Sequence, residues 1–173
     1  INYTDIEELI VCFTPGAQIA TPQGTRAVET LRPGDRVFTR DNGIREIRWV
    51  GRRDLGAADL AAMPKFQPIL IRKGALGADM PDRDMLVSPN HRMLLANELA
   101  EVMFGEREVL VAAKHLTGLD GVDRAVTDRV SYIHLMFDHH EVILADAAWS
   151  ENFQPGDYSM RGVGQESRDE ILT

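Results

Sequence analysis

A chain of 173 residues, 44% hydrophobic and 27% charged, has a globular balance, with length for one well-cored domain and little room for two. Its formal net charge of −8 argues against sequence-independent binding to nucleic acid or an anionic membrane surface. No run nears the roughly 18 apolar residues a transmembrane helix needs, and a single cysteine excludes an internal disulfide and a cysteine-rich zinc site.

In chain order, Ile1 to Ile10 reads as a lead-in, with Thr4-Asp5 as a helix cap. The start at Ile1 instead of Met suggests that an upstream segment has been cut away. Leu9-Ile10-Val11 is a strand-like approach to Cys12, and a Pro15-Gly16 turn precedes an alternating strand through Ile19 and Thr21. Ala27 to Leu31 runs into the Pro33-Gly34 turn, Arg36 to Thr39 is a short strand, and Asn42-Gly43 marks a hairpin. Arg45 to Val50 alternates as a half-buried strand ending at Gly51, and Leu55 to Met63 is the first helix, closed by Pro64.

Pro68 to Arg72 is a further strand, followed by a looser surface connection from Lys73 to Asp84. Met85-Leu86-Val87 enters the tight turn Ser88-Pro89-Asn90-His91, and Arg92 to Leu95 leaves it as a strand. Asn97 to Phe104 is a short helix ended by Gly105, Glu108 to Ala112 a strand capped by Ala113 to Leu116, and Thr117 to Asp123 a Gly/Asp loop. Val130 to Phe137 alternates again, Asp138-His139-His140 turns, Glu141 to Ala145 is a strand, and Trp149 to Gly156 a closing strand and turn. Asp157 to Thr173 is a polar tail. Many short strands with few short helices indicate an all-β domain.

A thiol beside a backbone carbonyl can attack it and exchange an amide for a thioester, with the protein as its own substrate. That step needs a reactive sulfur, a proton for the departing nitrogen and hydrogen bonds to the oxyanion. Ser88 and His91 offer a hydroxyl and a proton carrier on one turn, while His134 and His140 are further carriers on strands that would have to return there. Other readings stay open. Cys12 could be a small buried hydrophobe and His91 a surface residue without a task. His134, His139 and His140 hint at a metal, yet no glutamate or second thiol completes a standard ligand spacing. Adventitious zinc across Cys12 and these histidines fits better than a dedicated site. A papain-like hydrolase would set its cysteine at a helix N-terminus, whereas a turn and strand follow Cys12.

These motifs resemble those of the Hint (Hedgehog/intein) domain in its bacterial, intein-like branch. Cys12 to Ile19 is similar to the family's opening motif, Val28 to Val37 to the segment that follows it, and Ser88-Pro89-Asn90-His91 to its T-x-x-H motif, with Ser for Thr. Tyr132 to Ala145 is similar to the late block. The resemblance implies an all-β, horseshoe-like fold of two pseudo-symmetric halves over residues 12–156, flanked by an upstream segment 1–11 and the tail 157–173.

It also implies cleavage before Cys12 by an N-to-S acyl shift, on the protein's own flanking polypeptide, with water or a small nucleophile finishing the reaction. Cys12 would be the nucleophile, Ser88 would orient the peptide and His91 would protonate or strain it. His134 stands where the family has an assisting Asp or Cys, and His140 matches the histidine that follows. No cofactor, metal, nucleic acid or membrane is expected, and the domain is expected to be a monomer. Splicing members end in His-Asn before a nucleophile, but here the nearest equivalent is Glu151-Asn152-Phe153. Upstream cleavage without splicing is therefore expected, with Asn152 as a secondary cleavage point. The alternatives are an inactive β-fold interaction or assembly module of a larger bacterial protein, or a trans-acting thiol hydrolase. The compartment is left open, a secreted or cell-surface bacterial protein being the context considered.

Overall fold

A computed structural model describes residues 11–152. The lead-in before Val11, the closing turn at 153–156 and the tail 157–173 lie outside the described residues. The chain opens with β1 (Gln18–Thr21) and β2 (Gly24–Ala27), a helical turn at Val28–Thr30, and the pair β3 (Arg36–Phe38) and β4 (Ile44–Glu46). Next come β5 (Trp49–Leu55), α1 (Ala57–Ala62), a helical turn at Pro64–Phe66, β6 (Ile69–Ile71), β7 (Met85–Val87) and β8 (Arg92–Leu95). The remainder is α2 (Glu98–Phe104), β9 (Val109–Ala112), β10 (Val122–Arg124), β11 (Val130–Met136), β12 (Glu141–Ala145) and β13 (Ala148–Asn152). The fold is all-β, with open sheets and two short helices among the described residues.

Antiparallel pairing gives a six-stranded sheet in the order β2-β1-β12-β13-β8-β9, a three-stranded sheet β10-β6-β7, and the pairs β11-β5 and β3-β4. Phe13 joins two of these, bridging to Val87 on one side and to Ile133 on the other. Its amide donates to the Ile133 carbonyl at 2.9 Å, and the Ile133 amide donates back at 2.8 Å. The segment from Val11 to Phe13 is thus threaded between β7 and β11 in the middle of the molecule. Two large apolar clusters form the core. One gathers Ile69, Ile71, Val87, Met93, Leu95 and Leu116, and the other Phe13, Ile19, Val37, Ile47, Leu135 and Ile143. A small third cluster packs Cys12 with Leu55, Leu60, Val130 and Tyr132, with Phe66 against it.

Three local expectations are corrected. The single strand expected over Arg45 to Val50 breaks at Ile47, which is fully buried and exchanges backbone hydrogen bonds with the Gly34-Asp35 turn. Tertiary pairing wins there over local alternation: β5 starts only at Trp49 and crosses to β11, continuing past Gly51 to Leu55. The loop expected over Thr117 to Asp123 ends in β10, because Val122 pairs with Ile71 and fills the first core. The connection from Lys73 to Asp84 is not purely superficial, since it buries Leu76 completely and the Asn97 side chain donates to the Leu76 carbonyl at 2.9 Å. Asn97 also caps α2, accepting from the Leu99 amide at 2.9 Å, and Gly105 ends that helix in the left-handed region.

Candidate functional site

The peptide bond between Val11 and Cys12 is gripped at both ends. The Cys12 amide donates to Ser88 Oγ at 2.8 Å. The Val11 carbonyl oxygen lies 2.6 Å from His134 Nδ1. A carbonyl can only accept, so the ring carries its proton on Nδ1. Ser88 arrives from the end of β7, whose bridge to Phe13 fixes its height, and its own amide donates to the Cys12 carbonyl at 3.1 Å. His134 arrives from β11, held one residue beyond the Phe13–Ile133 bridge. The strand pattern Val130 to Met136 sets alternate side chains on opposite faces, and that alternation turns His134 to this bond while Ile133 and Leu135 enter the second core.

His91 closes the Ser88–His91 turn, its amide donating to the Ser88 carbonyl at 3.0 Å. The imidazole is fully buried and meets the Phe13 ring edge-on, with centroids 4.6 Å apart. Neither ring nitrogen has a hydrogen-bond partner among the described residues. Burial, with a smaller push from His134, drives its pKa from 6.5 down to about 3. His134 is lowered too, chiefly by burial, against which its bond to Val11 works. Both rings are neutral at physiological pH.

Cys12 is 1% exposed. An apolar cluster closes around it, and Tyr132, whose phenol is pushed up by burial and by Cys12, donates to the Phe66 carbonyl at 2.6 Å. No helix starts at Cys12, so the dipole assistance of a papain-like site is missing. A trans-acting hydrolase would need an open groove beside a sulfur that is here sealed. Right after this segment the chain reverses at Gly16, whose φ of 98° is open to glycine at little cost.

The sequence-predicted residues fall into two groups. Ser88 and His134 meet at the Val11–Cys12 peptide bond, and His91, on the same turn as Ser88, packs its ring against the neighbouring Phe13. His140 meets Glu151, its Nε2 lying 3.0 Å from Glu151 Oε1, while Arg92 Nε approaches the same carboxyl group at 3.3 Å. Both are ion-pair distances without the alignment of a directed hydrogen bond. Glu151 is fully buried, and as a charged residue in a strand it carried no sequence signal of that burial. Asn152 follows it, also buried, with Nδ2 lacking a partner among the described residues. The register that pairs Ser150 with Met93 and Glu151 with Arg92 carries Asn152 toward His91. The two ends of the described chain therefore approach each other around that turn. His139 is exposed. Among the described residues, no three His, Cys, Asp or Glu side chains converge to hold a metal ion.

The model of the Hint domain family matches residues 11–157. No curated protein sequence gives a significant match. The solution structure of a bacterial intein-like domain from Clostridium thermocellum is similar, with 12% identity, a TM-score of 0.52, and coverage of 83% of this chain and 99% of that one. A splice-inactive variant of the AceL NrdHF class 3 split intein shares 14% identity at a TM-score of 0.51, covering 83% of this chain and 98% of that one. A variant of the MchDnaB-1 intein shares 11% at a TM-score of 0.51, covering 82% and 99%. At these identities the likeness is one of fold. The family match across residues 11–157 is what assigns the chain: it belongs to the Hint domain family of self-processing, protein-splicing-type domains.

Proposed function

We propose that this domain, spanning residues 12–156, cuts its own chain before Cys12 by an N-to-S acyl shift. The observation that carries the reading is the double grip on one peptide bond, with Ser88 Oγ on its nitrogen side at 2.8 Å and His134 Nδ1 on its oxygen at 2.6 Å. Cys12 Sγ bonds to the Val11 carbonyl carbon, and the charge that develops on the Val11 oxygen falls on the hydrogen bond from His134. The bond from that carbon to the Cys12 nitrogen then breaks. The thiol proton ends on the nitrogen, which leaves as the α-amine of Cys12, and Val11 is left as a thioester on the sulfur.

His91 is assigned the proton relay. An imidazole whose conjugate acid has a pKa of about 3 is a poor store for a proton but a strong donor once it has taken one. Ser88 holds the Cys12 amide in place for it. Water or a small nucleophile then opens the thioester and releases the upstream segment. His140 belongs to the other end of the domain, on Glu151 beside Asn152. With a glutamate before Asn152 and a phenylalanine after it, cyclisation there has neither an assisting histidine next door nor a following nucleophile, so the reading is cleavage without splicing.

One observation favours a second reading, a domain kept as a dormant interaction module: the apolar nest around Cys12. Incubating the chain carrying a longer upstream extension, with and without dithiothreitol, separates the two by mass spectrometry. Thiol-dependent release at Val11, absent in Cys12→Ala, supports self-cleavage, and an intact chain under every condition supports the dormant module.

A further inference from the structure

We infer that Trp49, laid across the missing side chain of Gly51, is a positioning residue that shuts water away from the imidazole of His134 and holds that ring on the Val11 carbonyl. The inference deepens the self-cleavage reading and rests on it for its purpose. Strands β5 and β11 pair residue by residue, Gly51 opposite His134 and Trp49 opposite Met136. Residues 49 and 51 therefore share one sheet face with His134 and Met136, and Trp49 is the diagonal neighbour of His134. The indole and imidazole centroids are 6.0 Å apart, with the rings tilted by 59°.

Gly51 makes this approach available. A Cβ built there would come to 2.6 Å from Trp49 Cζ3 and 2.9 Å from Cζ2, closer than real contacts allow, with Cη2 closer still. Gly51 is not among the positive-φ glycines, so the backbone makes no demand for glycine; the demand is for space. Glycine in a strand interior costs order and packing, and often marks such a close approach. Here the group approaching is the indole of a residue on the same strand, lying along the sheet where the side chain at 51 would stand. Trp49 stays 38% exposed while His134 beneath it is 6% exposed, so the indole is the wall between that imidazole and solvent.

A wall of this kind has a chemical use. The hydrogen bond from His134 Nδ1 to the Val11 oxygen is worth more where water cannot compete for either partner, and an imidazole free to turn would present the wrong nitrogen. Trp49 touches neither the sulfur nor the scissile atoms in this account. It acts through His134.

The test uses the full chain with Cys12→Ala, which cannot form a thioester, and reads the exchange of the His134 Nδ1 proton with water by NMR. Trp49→Ala and Gly51→Ala should each speed that exchange by roughly tenfold or more, with Trp49→Phe restoring most of the protection. Exchange unchanged in Trp49→Ala overturns the inference. Should Gly51→Ala not fold, Trp49→Leu takes its place, since residue 49 sits at the surface. In chains that retain Cys12, Trp49→Ala should also slow release of the upstream segment. If the native chain releases nothing, self-cleavage fails as a reading, while the exchange rates still decide what Trp49 does.

Discussion

Ser88 and Cys12 are joined twice: the Cys12 amide donates to Ser88 Oγ at 2.8 Å, and the Ser88 amide donates to the Cys12 carbonyl at 3.1 Å. The first of these bonds holds the amide that must leave, and the second fixes the turn that holds it. Both lie in the interior, where a lost partner is not replaced by water.

Replacing Ser88 by Ala should therefore leave a buried N–H without an acceptor and cost about 1–3 kcal/mol of stability. Urea denaturation followed by the shift in midpoint at constant slope measures this. A negligible shift would mean that the Cys12 amide finds another acceptor and that the grip is weaker than the distance implies.

The oxygen side makes a kinetic prediction. His134→Ala removes the one hydrogen bond to the Val11 oxygen described here and should slow nucleophile-induced release by roughly 10²–10³-fold, the usual effect of losing an oxyanion donor. His134→Gln, which can still donate, should retain part of the rate. Single-turnover release kinetics check this, and a rate equal to the native one removes His134 from the reaction.

Burial of the two histidines ties stability to pH. His91 falls to about 3 in the folded chain and His134 is lowered as well, while both return to the ordinary value of 6.5 on unfolding. Below that value the unfolded chain binds more protons than the folded one, so stability is fully present above it and falls as pH drops toward the folded values. Each such histidine contributes a loss of about 1.4 kcal/mol per pH unit within its window. His91→Gln should flatten the dependence between about pH 6 and about pH 4 by one proton's worth. Equal slopes by chemical denaturation would contradict the buried, neutral imidazole.

At the other end, Glu151→Ala leaves Arg92 and His140 without the carboxyl group they flank. Breaking a buried pair on one side commonly costs several kcal/mol, and because Arg92 and His140 reach solvent the loss should sit near about 3 kcal/mol. Thermal unfolding measures it. Release of the upstream segment per folded molecule should stay unchanged, because Glu151 and His140 lie outside the group that grips the Val11–Cys12 bond. A proportional loss of release would join the two clusters into one site.

Much of this was legible in the chain. The Pro15-Gly16, Pro33-Gly34 and Asn42-Gly43 turns have backbone requirements written in their residue types, and they fall where expected. Cys12 and the Ser88–His91 turn carry their chemistry in residue type and spacing. What could not be read is proximity across strands. Nothing local says that Glu151 is buried, that His140 meets it, or that Phe13 is a one-residue strand between β7 and β11. The apolar nest around Cys12 draws on Leu55, Val130 and Tyr132, set side by side by the pairing of β5 with β11, and on Leu60 from the helix α1 that follows β5. The relation of Gly51 to Trp49 was not legible either: the glycine reads as the end of the alternating strand, and only the pairing of β5 with β11 carries the strand through it.

The most direct measurement traps the thioester. Hydroxylamine added to the chain bearing an upstream extension should release that extension ending at Val11 as a hydroxamate, with the matching fragment beginning at Cys12, and mass spectrometry reads both masses. The account predicts those two species from the native chain and neither from Cys12→Ala. An intact native chain, or equal release from Cys12→Ala, would contradict it.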